Sequence, residues 1–208
     1  MTDPPVTHGG DSASSVARAE FRVFGRGVID VVKTRIWEAH AILQGIRKMP
    51  PEIYFLAAGN EVANVKVRDG LLDIKVKTGE TPEGYEIFQP RGKFQFPVRR
   101  EELATIVSHL KADVAIDGDS CTIDEFVAIA RRHPVLVPVT VEKMRYGFSI
   151  DGVICEYAQV WFNGAMVESA CVESENYEAM RNVVEMLGLS TEPNTNYLRA
   201  AKRVVGID

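Results

Sequence analysis

Four short segments of this chain place ionisable side chains at every second position. Asn64 to Arg68 carries Lys66 and Arg68, and Leu72 to Lys77 carries Lys75 and Lys77. Thr140 to Arg145 carries Lys143 and Arg145, and Cys171 to Glu175 carries Glu173 and Glu175. An extended strand sends alternate side chains to opposite faces, so each pair shares a face. Lys and Arg donors match phosphate oxygens, and a row of them binds a polyanion. Paired carboxylates suit a hard divalent cation, Mg²⁺ or Mn²⁺, with Glu20 and Glu156 as further candidate ligands. A metal held between carboxylates and a phosphate chain polarises the phosphoryl group and can orient water. Such chemistry needs no Ser-His-Asp array, and the sequence shows none.

The elements that must position these residues follow from punctuation and period. Ala19 to Gly25 reads as a first strand, and Gly25-Arg26-Gly27 as a strand-to-helix turn rather than a phosphate loop. Apolar spacing predicts a helix from about Val28 to Ile46, stopped by Met49-Pro50-Pro51. Ile53 to Ala57 is an apolar strand. Asp69-Gly70 joins two strands as a hairpin, as Asp151-Gly152 and Asn163-Gly164 do later. Tyr85 to Pro90 and Lys93 to Pro97 read as short strands around Arg91-Gly92. Glu101 to Leu110 and Ile123 to Arg132 read as helices, the second with a Thr122/Glu125 capping box. Pro134 to Phe148, Val153 to Trp161 and Ala165 to Glu175 are long strands. Tyr177 to Leu187 is a helix closed by Gly188, and Thr195 to Val205 is a last one capped by Asn194 or Thr195. Hairpins dominate, so the expected class is α+β: a mostly antiparallel, closed or nearly closed barrel of about eight strands, a tunnel with helices packed outside. The charged faces then point inward.

The bulk numbers fit this picture. The chain has 208 residues with 46% hydrophobic and 25% charged, enough for a full core. Net charge is −5, which does not favour nucleic acid. Residues 64–100 hold eight Lys/Arg against five acids, a balance of +3, while residues 150–192 hold one Arg against eight acids, a balance of −7. The three cysteines, Cys121, Cys155 and Cys171, are scattered and read as inert. With no signal peptide and no membrane-length apolar run, a cytoplasmic protein without a membrane partner is expected. The segment 1–17 reads as a flexible tail, and 18–208 as a single domain. His8, His40, His109 and His133 lack metal-ligand spacing, and Trp37 and Trp161 read as packing residues. A competing interpretation remains open: a solvated sheet face with cross-strand ion pairs, each worth about 0–1 kcal/mol, or such a face docking another protein.

These segments together resemble the CYTH superfamily of triphosphate tunnel metalloenzymes. Asn64 to Gly70 is similar to its paired basic strand, and Asp73 to Lys77 to its strand ending in a phosphate-binding lysine. Val141 to Arg145 resembles its later basic strand, and Val172 to Glu175 its acidic strand. The resemblance spans about Ala19 to Gly206. It implies a tunnel barrel that binds a triphosphate-type ligand through Arg22, Lys66, Arg68, Lys75, Lys77, Lys143 and Arg145. It also implies Mg²⁺ or Mn²⁺ on Glu20, Glu173 and Glu175. The family's first strand reads E-x-E-x-K, whereas this chain has Glu20-Phe21-Arg22-Val23-Phe24. The second carboxylate is Arg22 and the lysine is Phe24, which weakens a metal site and removes a phosphate donor.

Two functions stay level on this basis. One is a metal-dependent triphosphatase; the other is a binding protein for a small phosphorylated ligand on the same scaffold. A nucleotidyl cyclase is a third member of the class. A homodimer is compatible with either.

Overall fold

Strand β1 (Ala19–Gly25) leads through Gly27 into helix α1 (Val28–Glu38), followed by β2 (Ile42–Ala57), β3 (Ala63–Arg68), β4 (Leu71–Glu80) and β5 (Glu86–Gln95). Two short strands, β6 (Val98–Arg99) and β7 (Ser120–Cys121), flank α2 (Arg100–Leu110), and α3 (Ile123–Arg132) comes next. Then come β8 (Leu136–Ile150), β9 (Val153–Phe162), β10 (Ala165–Ser174), α4 (Tyr177–Met186) and α5 (Tyr197–Val205). This computed structural model describes residues 17–115 and 118–207. Of the expected tail, residues 1–17, all but Ala17 lie outside them.

Eight strands close into an antiparallel barrel in the order β1, β10, β9, β8, β2, β3, β4, β5, and β5 returns to β1. The hairpin dipeptides turn as expected. Asp69 and Gly70 both have positive φ, 52° and 75°, and the Asp151-Gly152 and Asn163-Gly164 turns repeat the pattern. That backbone twist matches paired strands, and glycine adopts it without strain.

Three elements differ from the sequence expectations. The first helix ends at Glu38, not near Ile46: His40 turns the chain with φ 50°, and Ile42 onward pairs with β8 from Ser149 downward. Met49-Pro50-Pro51 therefore lies inside a 16-residue strand, where a register shift between Met49 and Glu52 absorbs the prolines. Proline lacks a ladder donor, and a bulge is where a strand tolerates it. Next, the two short strands around Arg91-Gly92 are one strand, β5, bent by a register shift opposite Ile74 and Lys75. Lastly, the cap of α5 is Asn196, whose Oδ1 accepts from Arg199 N at 3.0 Å. Trp37 is 89% exposed and does not pack in the core.

The barrel has two kinds of surface. Outside, α1 and α4 cover β1, β9 and β10, burying Phe21, Val32, Val172, Met180 and Val183. On the other side α2 and α3 cover β2, β3 and β4 through Phe55, Val65, Leu72, Leu103 and Phe126. Inside, one end is apolar: Leu56, Val139, Val141, Ala158, Val160 and Phe162 meet Leu198 and Ala201 of α5. So α5 stoppers an end of the barrel, while the other helices lie outside as expected. The remaining interior is polar. Among the described residues, no helix is long and apolar enough to cross a membrane.

Replacing Leu198 with Ala should leave a cavity in this stopper and cost about 2–5 kcal/mol in urea unfolding. A loss under roughly 1 kcal/mol would mean that α5 does not hold the end closed.

Candidate functional site

Strand alternation delivers the charged residues to one place. Glu20 and Arg22 of β1, Lys66 and Arg68 of β3, Lys75 of β4, and Lys143 and Arg145 of β8 line one cavity of about 320 Å³ with Glu156 and Glu173. A second cavity of about 160 Å³ adjoins it, sharing Arg145, Glu156 and Glu173. Of the residues paired in the sequence, Lys66, Arg68, Lys75, Lys143, Arg145 and Glu173 line this cavity, and Lys77 and Glu175 do not. The lining has seven cations, counting Arg18, against the three carboxylates Glu20, Glu156 and Glu173.

The cations are not left unbalanced. Glu52, 1% exposed, presents Oε2 to Lys143 Nζ at 2.7 Å and Lys66 Nζ at 3.2 Å. Both ammonium groups also donate to the Tyr54 hydroxyl at 3.3 Å. Arg68 lies 3.9 Å from the other oxygen of Glu52 and donates to Asp73 at 3.2 Å. Burial by itself would raise the Glu52 carboxyl, but Lys143 and Lys66 outweigh it and pull it down to about 2. Burial, helped by repulsion from Lys66 and opposed by Glu52, pushes Lys143 down to about 7. Burial also lowers Lys66, less what Glu52 restores. Two lysines share one carboxylate, so one positive charge is in excess, and Lys143 is the group that releases it.

A second cluster centres on Arg22. Its Nε donates to Glu20 at 2.9 Å, and its Nη1 donates to Glu156 and to Ser169 Oγ, both at 3.3 Å. Nη2 stands 3.9 Å from Glu173. Arg145 engages the other oxygen of Glu156. Burial would raise Glu20, yet the charge and hydrogen bond of Arg22 bring it below its usual range. Glu173 goes the other way, raised by burial and by the charge of Glu20. Arg22 was expected to bind phosphate, but its donors are directed at the protein.

Lys77 lies outside both cavity linings, paired with Glu86 at 2.9 Å and with Glu80. Asn196 donates to both oxygens of Glu86, at 2.9 and 3.1 Å, and Arg199 pairs with it at 3.3 Å. Glu175 lies past the end of β10, half exposed and 3.7 Å from Arg18. Lys75 is exposed in the tunnel and has no ion-pair partner among the described residues.

Among the described residues, Glu20, Cys171 and Glu173 form the group whose ligand atoms lie within 4.8 Å of one another. Cys171, read from the sequence as inert, is thus part of the acidic cluster. Its thiol is pushed well up by burial. Sequence reasoning also missed Glu52 and Glu86 and the tunnel tyrosines Tyr54 and Tyr197. A signal existed for the first: Glu52, Tyr54 and Leu56 keep a period of two, which the prolines before them obscured.

No protein-family model matches the chain, and no curated protein matches it significantly. Solved structures do. A conserved hypothetical protein from Pyrococcus furiosus aligns with TM-score 0.50 and 16% identity over 88% of this chain and 98% of its own. A Hippeastrum protein, described as a candidate adenylyl cyclase with a dominant triphosphatase activity, aligns with TM-score 0.49 and 12% identity over 91% of this chain and 95% of its own. At 16% identity the likeness to the Pyrococcus protein is one of fold alone.

Glu52→Gln should be severely destabilising, by about 3–5 kcal/mol, because it orphans two buried lysines. Glu175→Gln should stay within about 0.5 kcal/mol of the wild type. Urea unfolding of both variants tests the contrast; equal effects would contradict the ion-pair assignment.

Proposed function

We propose that the tunnel binds a small phosphorylated polyanion of triphosphate type and that the protein acts as a binder of that ligand rather than a hydrolase. One observation carries this reading: a cavity inside the barrel whose lining keeps a cation excess after its own ion pairs are counted. Adding Glu52, Asp73 and Glu175, which pair with lining residues, still leaves seven cations against six carboxylates. Lys75, Arg68 and Arg145 are the accessible members, and phosphate oxygens are their natural acceptors. The Tyr197 hydroxyl is buried without a hydrogen-bond partner among the described residues, and it is a further donor in the same cavity. The resemblance in the basic strands points to a triphosphate chain as the ligand class.

The groups that hydrolysis needs fit poorly. Phe24 stands where the resemblance expects a lysine, and it packs on Phe162 and Tyr197 in the apolar end. For Mg²⁺ or Mn²⁺ the candidates were Glu20, Glu173 and Glu175, but Glu175 faces away and Arg22 occupies the space beside the other two. The reading therefore includes no resident ion and no step through one.

Titration with tripolyphosphate, ATP and thiamine triphosphate by calorimetry tests the binding, and phosphate release with Mg²⁺ or Mn²⁺ tests the chemistry. Binding of at least one ligand without phosphate release is expected. No binding by any of them would sink the proposal, and metal-dependent release would replace it with the hydrolase. Lys75→Met should weaken binding about 10- to 100-fold, the worth of one charged hydrogen bond.

The pH dependence has a definite sign. Lys143 carries its charge below about 7 and loses it above. Anion affinity should therefore fall as pH rises from 6 to 8, and binding near neutrality should take up protons. Stability changes in the opposite direction through this group. The unfolded lysine holds its proton to about 10.5 while the folded one releases it near 7, so the unfolded state binds more protons in that window. Burial of Lys143 then destabilises less as pH rises. Affinity that is flat from pH 6 to 8 would remove Lys143 from the site.

A further inference from the structure

The side chains that come nearest to a metal site already contain a cation. Across the β1–β10 ladder Glu20 pairs with Glu173 and Arg22 with Cys171, so Arg22 extends into the same group of side chains. Only 4% of Arg22 is exposed. Its nitrogens face Glu20 at 2.9 Å, Glu156 at 3.3 Å and Glu173 at 3.9 Å, and its guanidinium lies 4.7 Å from the centre of the Tyr197 ring. Three carboxylates from β1, β9 and β10 thus converge on one planar charge.

A guanidinium does not lose its proton, and its fork can satisfy several acceptors at once. A divalent ion on Glu20 and Glu173 would need oxygen contacts of about 2.0–2.1 Å for Mg²⁺. It would have to sit against that fixed positive charge or expel it. Cys171, the third member of the group, is a soft ligand unsuited to a hard cation.

We propose that Arg22 is the permanent cation of this tunnel. It takes the position between Glu20, Glu156 and Glu173 that a divalent ion would need, so the tunnel excludes metal and holds its anion without one. The exclusion of metal stands by itself; the metal-free binding of anion rests on the proposed function. Arg22 in this role is a positioning residue. It orders the carboxylate side of the tunnel and leaves the opposite wall, with Lys75 and Arg68, to the ligand.

Mn²⁺ alone, followed by calorimetry and by its electron paramagnetic resonance signal, is the probe, with the full chain and no anion present. The wild type should show no saturable uptake. Arg22→Gln removes the charge yet keeps an amide for the carboxylates, and it should acquire a site that the double variant Arg22→Gln/Glu20→Gln loses. Arg22→Lys keeps the charge and should behave as the wild type. Saturable uptake by the wild type that Glu20→Gln abolishes would overturn the proposal, as would a folded Arg22→Gln that binds no Mn²⁺. Circular dichroism establishes folding, and if Arg22→Gln does not fold, the wild-type titration decides by its presence or absence of uptake. Tripolyphosphate titrated with EDTA and then with Mg²⁺ checks the second half. Equal affinity supports it, and binding only with Mg²⁺ overturns it. Absence of tripolyphosphate binding in both conditions would instead refute the anion reading and leave the Mn²⁺ result standing.

Discussion

Oε2 of Glu52 accepts from Lys143 at 2.7 Å and from Lys66 at 3.2 Å, joining β2, β3 and β8 through one atom. Lysines on the two strands that flank β2 repel each other across the barrel interior at low dielectric, and an isolated buried charge costs far more than a hydrogen bond returns. Glu52 makes the arrangement tolerable. Glu156 does the same between Arg22 and Arg145, and Glu86 does so among Lys77, Arg199 and Asn196. These three carboxylates are each shared by more than one donor. The charge left over after this sharing is what the proposed anion binding rests on.

The shape of the barrel serves that balance. Glu52 follows two prolines, and the bulge between Met49 and Glu52 lets β2 pass them while keeping its ladder to β8. From there Glu52, Tyr54 and Leu56 face inward, running from the charged region to the apolar stopper under α5. The stopper removes water from one side of the lysine pair, which helps move Lys143 to about 7. Asn196 links the two regions, capping α5 with its Oδ1 and donating to Glu86 with its Nδ2.

The strand pairs and their common face were legible because period two is a local property of an extended chain. The hairpins were legible because Asp-Gly and Asn-Gly dipeptides favour one turn geometry. The departure at Arg22 and Phe24 was visible as well. Its meaning was not: nothing in Glu20-Phe21-Arg22 says that Arg22 meets Glu156, which is 134 positions away. The segment from Ile42 to Ile46 was misread as helix because its apolar spacing suits either structure. Only the hydrogen bonds of β8 select the strand. Glu52 and Glu86 escaped notice for a related reason. A lone carboxylate carries no local mark of the cations it will neutralise.

Residue order alone therefore determined the antiparallel class and the shared face of each charged pair, both consequences of neighbours along the chain, while closure of the barrel decided that this face points inward. Tertiary structure decided which charges cancel. It assigned Glu52 to Lys66 and Lys143, turned Arg22 towards the carboxylates, drew Cys171 into their group and left Glu175 at the surface with Arg18. Ion pairing depends on distances of a few ångströms between strands far apart in sequence, and those distances exist only once the barrel closes.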